Sequence, residues 1–374
     1  MAFPHRAAVP ATVCGKTQRA APNTQEKTRA AAACLRTATL LSPTATLRTM
    51  GCVMSTAIAV LLCKNKCSVS RLAGRMAFHP PMPASYWLDP LPDGTLKLCF
   101  AVPELSSALA HLEGSRGVTV DIRYVHTKRR STVPLFHFQY PGAEVTLLWS
   151  HANAMDVGEM YFFFLELAAR LKVNVATYDY SGYGSASGEP SEANTYADAL
   201  AVYNYLAANG VDVARNLIVY GQSIGSAPTL HLATHCRVAG IVLHSPILSG
   251  LRFLIPPSTG CCSVGGCCSP VCVYALCDPF PNIKRIRRVK APVLLIHGTA
   301  DKTVDCSHTL TLYERIPHKF RREPYIIDGA GHENVVDFDA RSYFARVSEF
   351  IQAAVDEASA HSGMIPPARS WPWA

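Results

Sequence analysis

The chain has 374 residues, 14 cysteines and a formal net charge of +8, which is long enough for one large α/β domain with terminal extensions. No nucleic-acid recognition motif accompanies the positive charge, so no nucleic-acid partner is expected. The cysteines are unevenly spaced, and no basic start, long apolar core and small-residue cleavage site opens the sequence, which argues against a secreted disulfide scaffold.

Residues 1–49 hold seven Lys/Arg, a single acid (Glu26) and many Ala and Thr. They read either as an organelle transit peptide or as upstream sequence ahead of a start at Met50. Met50–Ser55 (MGCVMS) fits the N-myristoylation pattern, with Gly51 as the acceptor and Cys52 beside it. The apolar run from Val53 to Cys63 is too short to span a bilayer. Cys52, Cys63 and Cys67, with Lys64 and Lys66 alongside, read instead as an acylated anchor. Residues 50–85 are therefore expected to attach the protein to a membrane.

The globular part is expected over 86–356. Segments near 118–124 and 132–138 alternate polar and apolar residues and predict an antiparallel edge. A strand at 145–149 leads into the loop Ser150–Ala154. Apolar runs at Val173–Tyr178, Leu217–Tyr220, Val238–Leu243 and Val293–Ile296 alternate with helical patterns near 157–171, 193–208, 223–235, 306–316 and 337–356. Near-continuous apolar strands between amphipathic helices predict a mostly parallel sheet covered on both faces. The turn Asp179–Gly184 is glycine-rich, but no Lys-Ser/Thr opens a helix behind it, so it is not a phosphate loop. An insertion at 254–278 carries Cys261, Cys262, Cys267, Cys268, Cys272 and Cys277. It reads as a palmitoylation or membrane-contact element, a spacer, or a metal or disulfide site; no histidine lies nearby and the spacing matches no familiar zinc module. The basic run 284–290 fits a solvated loop or an anionic membrane surface. The tail, 357–374, is expected to be disordered.

Gly221–Gly225 (GQSIG) follows a strand and precedes a helical run, the setting of a nucleophile elbow that exposes Ser223. Such a serine is followed along the chain by an acid and then a histidine. Asp301 stands just after the strand 292–297, with Asp305 as the alternative acid, and His332 follows the strand 325–327 in a Gly-Ala-Gly-His loop. A serine hydroxyl needs a base to attack at neutral pH, and the acid orients that base. The oxyanion needs N–H donors, one expected from Ile224 and the second from Asn153, with Ala154 as the alternative. His151 reads as a structural residue of the loop.

A longer series of motifs resembles one family. SHANAMDVGEM (Ser150–Met160), YDYSGYG (Tyr178–Gly184), GEPSE (Gly188–Glu192), YGQSIG (Tyr220–Gly225), His244-Ser-Pro246 with Ser249–Arg252, and HGTAD (His297–Asp301) are similar to the alpha/beta hydrolase domain-containing protein 17 family. The junction RLAGRMAFHPP (Arg71–Pro81) matches as well. That resemblance implies a membrane-bound serine hydrolase that removes palmitate from protein cysteines, with Ser223, Asp301 and His332 at the triad positions. Two departures stand out. The family's His-Gly-Asn is His151-Ala152-Asn153 here, and an alanine needing positive φ there would carry strain of order 1 kcal/mol. The cysteine-rich insertion replaces a shorter cap.

The expected fold is thus an α/β-hydrolase, with an eight-stranded, mostly parallel sheet, helices on both faces and a cysteine-rich cap insertion. The expected activity is thioester hydrolysis on S-palmitoylated proteins at the cytoplasmic face of the plasma membrane or endosomes, with no cofactor and no metal. A lipid or small-ester hydrolase, and a catalytically weak scaffold with an oxyanion hole spoiled by Ala152, are the alternatives.

Overall fold

A computed structural model describes residues 77–106, 109, 116–254 and 278–361. These include a hairpin absent from the sequence expectations. Its strands β1 (Tyr86–Pro90) and β2 (Leu96–Phe100) pair antiparallel in a sheet of their own. A tight turn joins them, with Gly94 at φ +81° and its N–H bonded to Leu91 O at 2.9 Å. Tyr86, Leu88, Leu98 and Phe100 alternate along the two strands and are buried against the domain.

The main sheet has eight strands: β3 (Thr119–His126), β4 (Thr132–Gln139), β5 (Thr146–Ser150), β6 (Asn174–Tyr178), β7 (Leu217–Gln222), β8 (Gly240–His244), β9 (Val293–Gly298) and β10 (Tyr325–Ile327). Their spatial order is β10-β9-β8-β7-β5-β6-β4-β3. β4 pairs antiparallel with both β3 and β6, and every other pair is parallel. The expected antiparallel pair is present, but only β3 is an edge. β4 lies inside the sheet, with Val133, Leu135, Phe136 and Phe138 buried.

Successive residues of the inner strands point to opposite faces and feed two separate cores. Leu148, Val219, Ile241 and Leu295 face one, which α2 (Glu192–Ala208), α3 (Ser226–His235) and α6 (Ser307–Arg315) cover through Val202, Leu206, Leu230 and Leu312. Leu147, Ile218, Val242 and Leu294 face the other, under α1 (Val157–Leu171) and α8 (Ala340–His361), which contribute Phe164, Leu165, Val347 and Phe350. Three further short helices are α4 (Gly250–Leu254), α5 (Asn282–Arg285) and α7 (Val335–Phe338).

The helix expected at 223–235 is divided into a tight turn, Ser223–Gly225, and α3. The one expected at 337–356 is divided into α7 and α8, and α8 continues through residues assigned to the tail. Residues 77–85, assigned by sequence to the anchoring segment, belong to the domain as a strap across its surface. Phe78 is buried, its ring centroid 6.4, 6.2 and 5.7 Å from those of Tyr180, Tyr183 and Phe280. Gly51, Cys52, Cys63, Cys67 and the six cysteines of the insertion lie outside the described residues. The insertion's neck lies within them: Arg252 pairs with the Asp278 carboxylate, and Gly250 N–H donates to Pro279 O at 2.8 Å. No helix among the described residues is long and apolar enough to cross a membrane.

Candidate active site

Ser223 follows β7 directly, with φ at +53°, a left-handed conformation that costs a non-glycine residue about 1–3 kcal/mol. Its neighbours hold it there. A Cβ on Gly225 would lie 2.2 Å from Ser150 O and 2.7 Å from His151 O, so this glycine lets the end of β5 touch the elbow. A Cβ on Gly221 would meet Thr229 Oγ1 at 2.5 Å and Gly225 O at 2.6 Å. Behind the turn, Ser226 Oγ donates to Ser223 O at 2.6 Å, and Asn282 Nδ2 donates to Ser226 Oγ at 2.9 Å.

The loops after β9 and β10 bring the partners in. Thr299 N–H donates to Ile327 O and Ala300 N–H to Ala330 O, both at 2.9 Å. Gly298 permits that contact, since a Cβ there would sit 2.2 Å from Ala330 O. His332 Nδ1 is 2.6 Å from Asp301 Oδ2, and its Nε2 is 3.1 Å from Ser223 Oγ. A carboxylate only accepts, so Nδ1 carries the proton and Nε2 accepts from the serine hydroxyl. Ser223, Asp301 and His332, expected from the elbow motif, strand placement and chain order, are thus one hydrogen-bonded chain, buried except for part of the His332 ring.

Asp301 Oδ1 accepts from the N–H groups of Thr303 and Val304, each at 2.8 Å. Burial by itself would raise this carboxyl, but hydrogen bonds from His297, His332 and the Val304 backbone outweigh it and hold the group well below the usual carboxylate range. Asp305, the alternative acid, is exposed and accepts from Ser307 N–H at 2.9 Å at the start of α6.

On the oxyanion side, Ile224 is in the first turn after the elbow, where a backbone N–H has no intrahelical acceptor. The Asn153 side chain is committed elsewhere. Its Nδ2 donates to Ala77 O at 2.6 Å, and its Oδ1 accepts from His79 N at 2.9 Å and Tyr183 Oη at 2.7 Å. Any donor from Asn153 is therefore its backbone N–H. The strain expected at Ala152 is not there. The left-handed residue of this loop is Ala154, at φ +57°. His151 is fully buried, with Nε2 3.4 Å from Asp179 Oδ1 and Nδ1 2.7 Å from Ala152 O, which fits a structural residue. Asp179 also receives Tyr86 Oη and Val157 N–H, joining the hairpin to the loop.

Two histidines were read from sequence only as strand ends or motif letters. His244 ends β8, with Nδ1 3.1 Å from Tyr220 Oη, and Tyr220 Oη lies 2.9 Å from Tyr343 Oη. Burial, reinforced by the nearby His332 and His297, pushes the His244 imidazole down to about 3, so it is neutral at any working pH. His297 is the penultimate residue of β9, with Nε2 3.1 Å from Asp301 Oδ2. The spacing His-x-x-x-Asp at a strand end was the available signal. Among the described residues, no group of His, Cys, Asp and Glu could hold a metal ion.

Residues 147–265 match the alpha/beta hydrolase family. Alpha/beta hydrolase domain-containing protein 17C of Xenopus tropicalis is 36% identical over 303 residues, covering 78% of this chain and 92% of that protein. The domain-containing protein aho-3 of Caenorhabditis elegans is 39% identical over 283 residues, 75% of this chain and 78% of that protein. Human alpha/beta hydrolase domain-containing protein 17B is 40% identical over 211 residues, 56% and 67% respectively. Among solved structures, an esterase of Pyrococcus furiosus superposes with a TM-score of 0.52 at 18% identity, over 64% of this chain and 92% of that one, a likeness of fold.

Proposed function

The chain belongs to the alpha/beta hydrolase domain-containing protein 17 family, and from that premise we propose that this hydrolase cleaves thioester-linked palmitate from protein cysteines, with Ser223 as nucleophile. The observation that carries the reading is the elbow serine 3.1 Å from a histidine whose far nitrogen is 2.6 Å from a buried carboxylate.

In this mechanism Ser223 Oγ attacks the thioester carbonyl while its proton passes to His332 Nε2. Asp301 keeps Nδ1 protonated and stabilises the imidazolium. The oxyanion receives the Ile224 N–H and a backbone N–H of the 153–154 loop. Collapse of the tetrahedral intermediate breaks the C–S bond, and the departing sulfur takes the proton from His332. Water, deprotonated by the same imidazole, then attacks the Ser223 ester; the acid leaves and the proton returns to Ser223.

Membrane attachment belongs to the same proposal: palmitate on Cys52, Cys63 or Cys67, with myristate on Gly51 where translation starts at Met50, would hold the enzyme where its acylated substrates reside. One acyl chain binds only reversibly, so two signals are needed for stable attachment. Cys52→Ser should give weak, exchanging membrane binding, and unchanged retention would remove Cys52 from the anchor.

The deciding assay gives purified enzyme a palmitoyl-cysteine peptide and, separately, an oxygen-ester lipid. The proposal requires faster turnover of the thioester, abolished by Ser223→Ala. Preference for the oxygen ester would make the protein a lipid esterase of the same fold.

A further inference from the structure

We propose that His297 is a positioning residue for the triad, bracing the same carboxylate oxygen of Asp301 that receives His332 and thereby setting how strongly Asp301 holds the catalytic imidazole. This inference rests on the serine-hydrolase reading of Ser223.

The geometry fixes which nitrogen faces Asp301. His297 Nε2 lies 2.8 Å from Val304 O and 3.1 Å from Asp301 Oδ2, and both side chains of the pair are fully buried. Neither oxygen can donate, so Nε2 must carry a proton. The other nitrogen, Nδ1, is 2.6 Å from Thr309 Oγ1, whose hydroxyl anchors the far side of the ring. The ring therefore ties three pieces together: the end of β9, the loop holding Asp301 and the first turn of α6.

Asp301 Oδ1 is already occupied by two backbone N–H groups. Oδ2 alone faces His332, and it faces His297 as well. An N–H beside Oδ2 spends part of its negative charge, so His297 both stops the carboxylate rotating and moderates its pull on His332. Other titratable groups face this pair. His244 lies beneath from β8, and Asp305, Cys306 and His308 approach from the start of α6. Among the described residues, the hydrogen-bond and ion-pair partners of Oδ2 are His332 and His297, and none of these four.

Removing the His297 N–H should leave Oδ2 more strongly negative toward His332. The protonated imidazole is then favoured, and the enzyme loses its free base at a higher pH. For His297→Leu we expect the acid limb of the kcat/KM profile to move up by about half a pH unit or more, and kcat to fall about tenfold with KM nearly unchanged, the pattern of a lost transition-state interaction. His297→Gln returns an N–H at similar reach and should restore most of both. Thr309→Val removes the hydroxyl that anchors Nδ1 and leaves the ring freer to turn away from Oδ2, and should move the limb in the same direction by less; it decides the matter if His297→Leu does not fold. Thermal unfolding identifies the variants that fold.

An unmoved acid limb in folded His297→Leu or Thr309→Val, or a His297→Gln as impaired as the leucine variant, overturns the proposal. Ser223→Ala in the same assay separates the two readings. If it retains turnover, the serine-hydrolase reading falls and this one with it. If it is inactive while the limb is unmoved, only the role of His297 falls.

Discussion

Gly225→Ala tests whether the elbow and the oxyanion loop are held by direct backbone contact. The added Cβ would lie 2.2 Å from Ser150 O and 2.7 Å from His151 O. A relaxed carbon–oxygen contact is about 3.3 Å, so one side must retreat by about 1 Å. Ser150 is paired in register with Gly221 at the end of β5, and Ser226, just behind the elbow, is buttressed by Asn282. The displacement therefore falls on the loop from Ser150 to Ala154, which supplies the second oxyanion donor. A misplacement of about 1 Å costs on the order of 10²-fold in rate, roughly 2.7 kcal/mol of transition-state stabilisation. Overpacking should also lower stability by about 1–3 kcal/mol. The assay is steady-state hydrolysis of a palmitoyl-cysteine peptide with thermal unfolding alongside. The expected result is a collapse in kcat with KM close to wild type in a folded protein. A folded Gly225→Ala with kcat within a few-fold of wild type would show that the loop does not depend on this contact.

Ser223→Ala and His332→Ala should each remove nearly all hydrolysis, while Asp301→Asn should leave a residue, at about 10⁻⁴ of the wild-type rate; an inactivating Asp305→Asn beside an active Asp301→Asn would reverse the acid assignment. Ala154→Gly should stabilise the protein by up to about 1 kcal/mol by relieving a left-handed alanine, whereas Ala152→Gly, buried and not left-handed, should destabilise it by a similar amount. Urea unfolding checks both, and equal effects at the two positions would refute the placement of strain. Burial pushes the Asp198 carboxyl up to about 7, against the opposing hydrogen bonds from Ser181 N–H and Oγ–H. A carboxyl whose folded value exceeds its unfolded value of about 3.9 stabilises the fold below that value and loses the benefit as pH rises toward 7. Asp198→Asn should therefore gain stability relative to wild type between pH 4 and pH 8, measured by melting temperature, and a constant difference across that range would contradict it.

The triad could be picked out of the sequence because each member follows an apolar run that ends in a characteristic turn, and chain order supplies the roles. Positions set by tertiary contact could not. β1 and β2 are only five residues each, one ending in Pro90, so neither offers enough periodicity to stand out. β4 looked like an edge because Thr132 and His137 interrupt its apolar residues, and only the position of β3 outside it shows otherwise. The left-handed alanine is Ala154 rather than Ala152 because φ there follows from how the loop is tied to the strap, through Asn153, and to α1, through Asp156. His297 was legible as a letter of a motif but not as a neighbour of Asp301, since that proximity depends on the turn closing after Gly298.

The closed neck at Arg252 and Asp278 bears on how the sequence between its two ends can vary. The ion pair and the Gly250–Pro279 hydrogen bond fix the two ends of the excursion next to each other, whatever lies between. Once the ends are joined, chain length enters only logarithmically, at about 0.6 kcal/mol for each doubling. The 23 residues of 255–277 could therefore be shortened, lengthened or exchanged between relatives at small thermodynamic cost to the domain that carries the elbow. Selection can revise this segment like a removable fitting, while Ser223 and its partners stay under the separate constraint of the sheet.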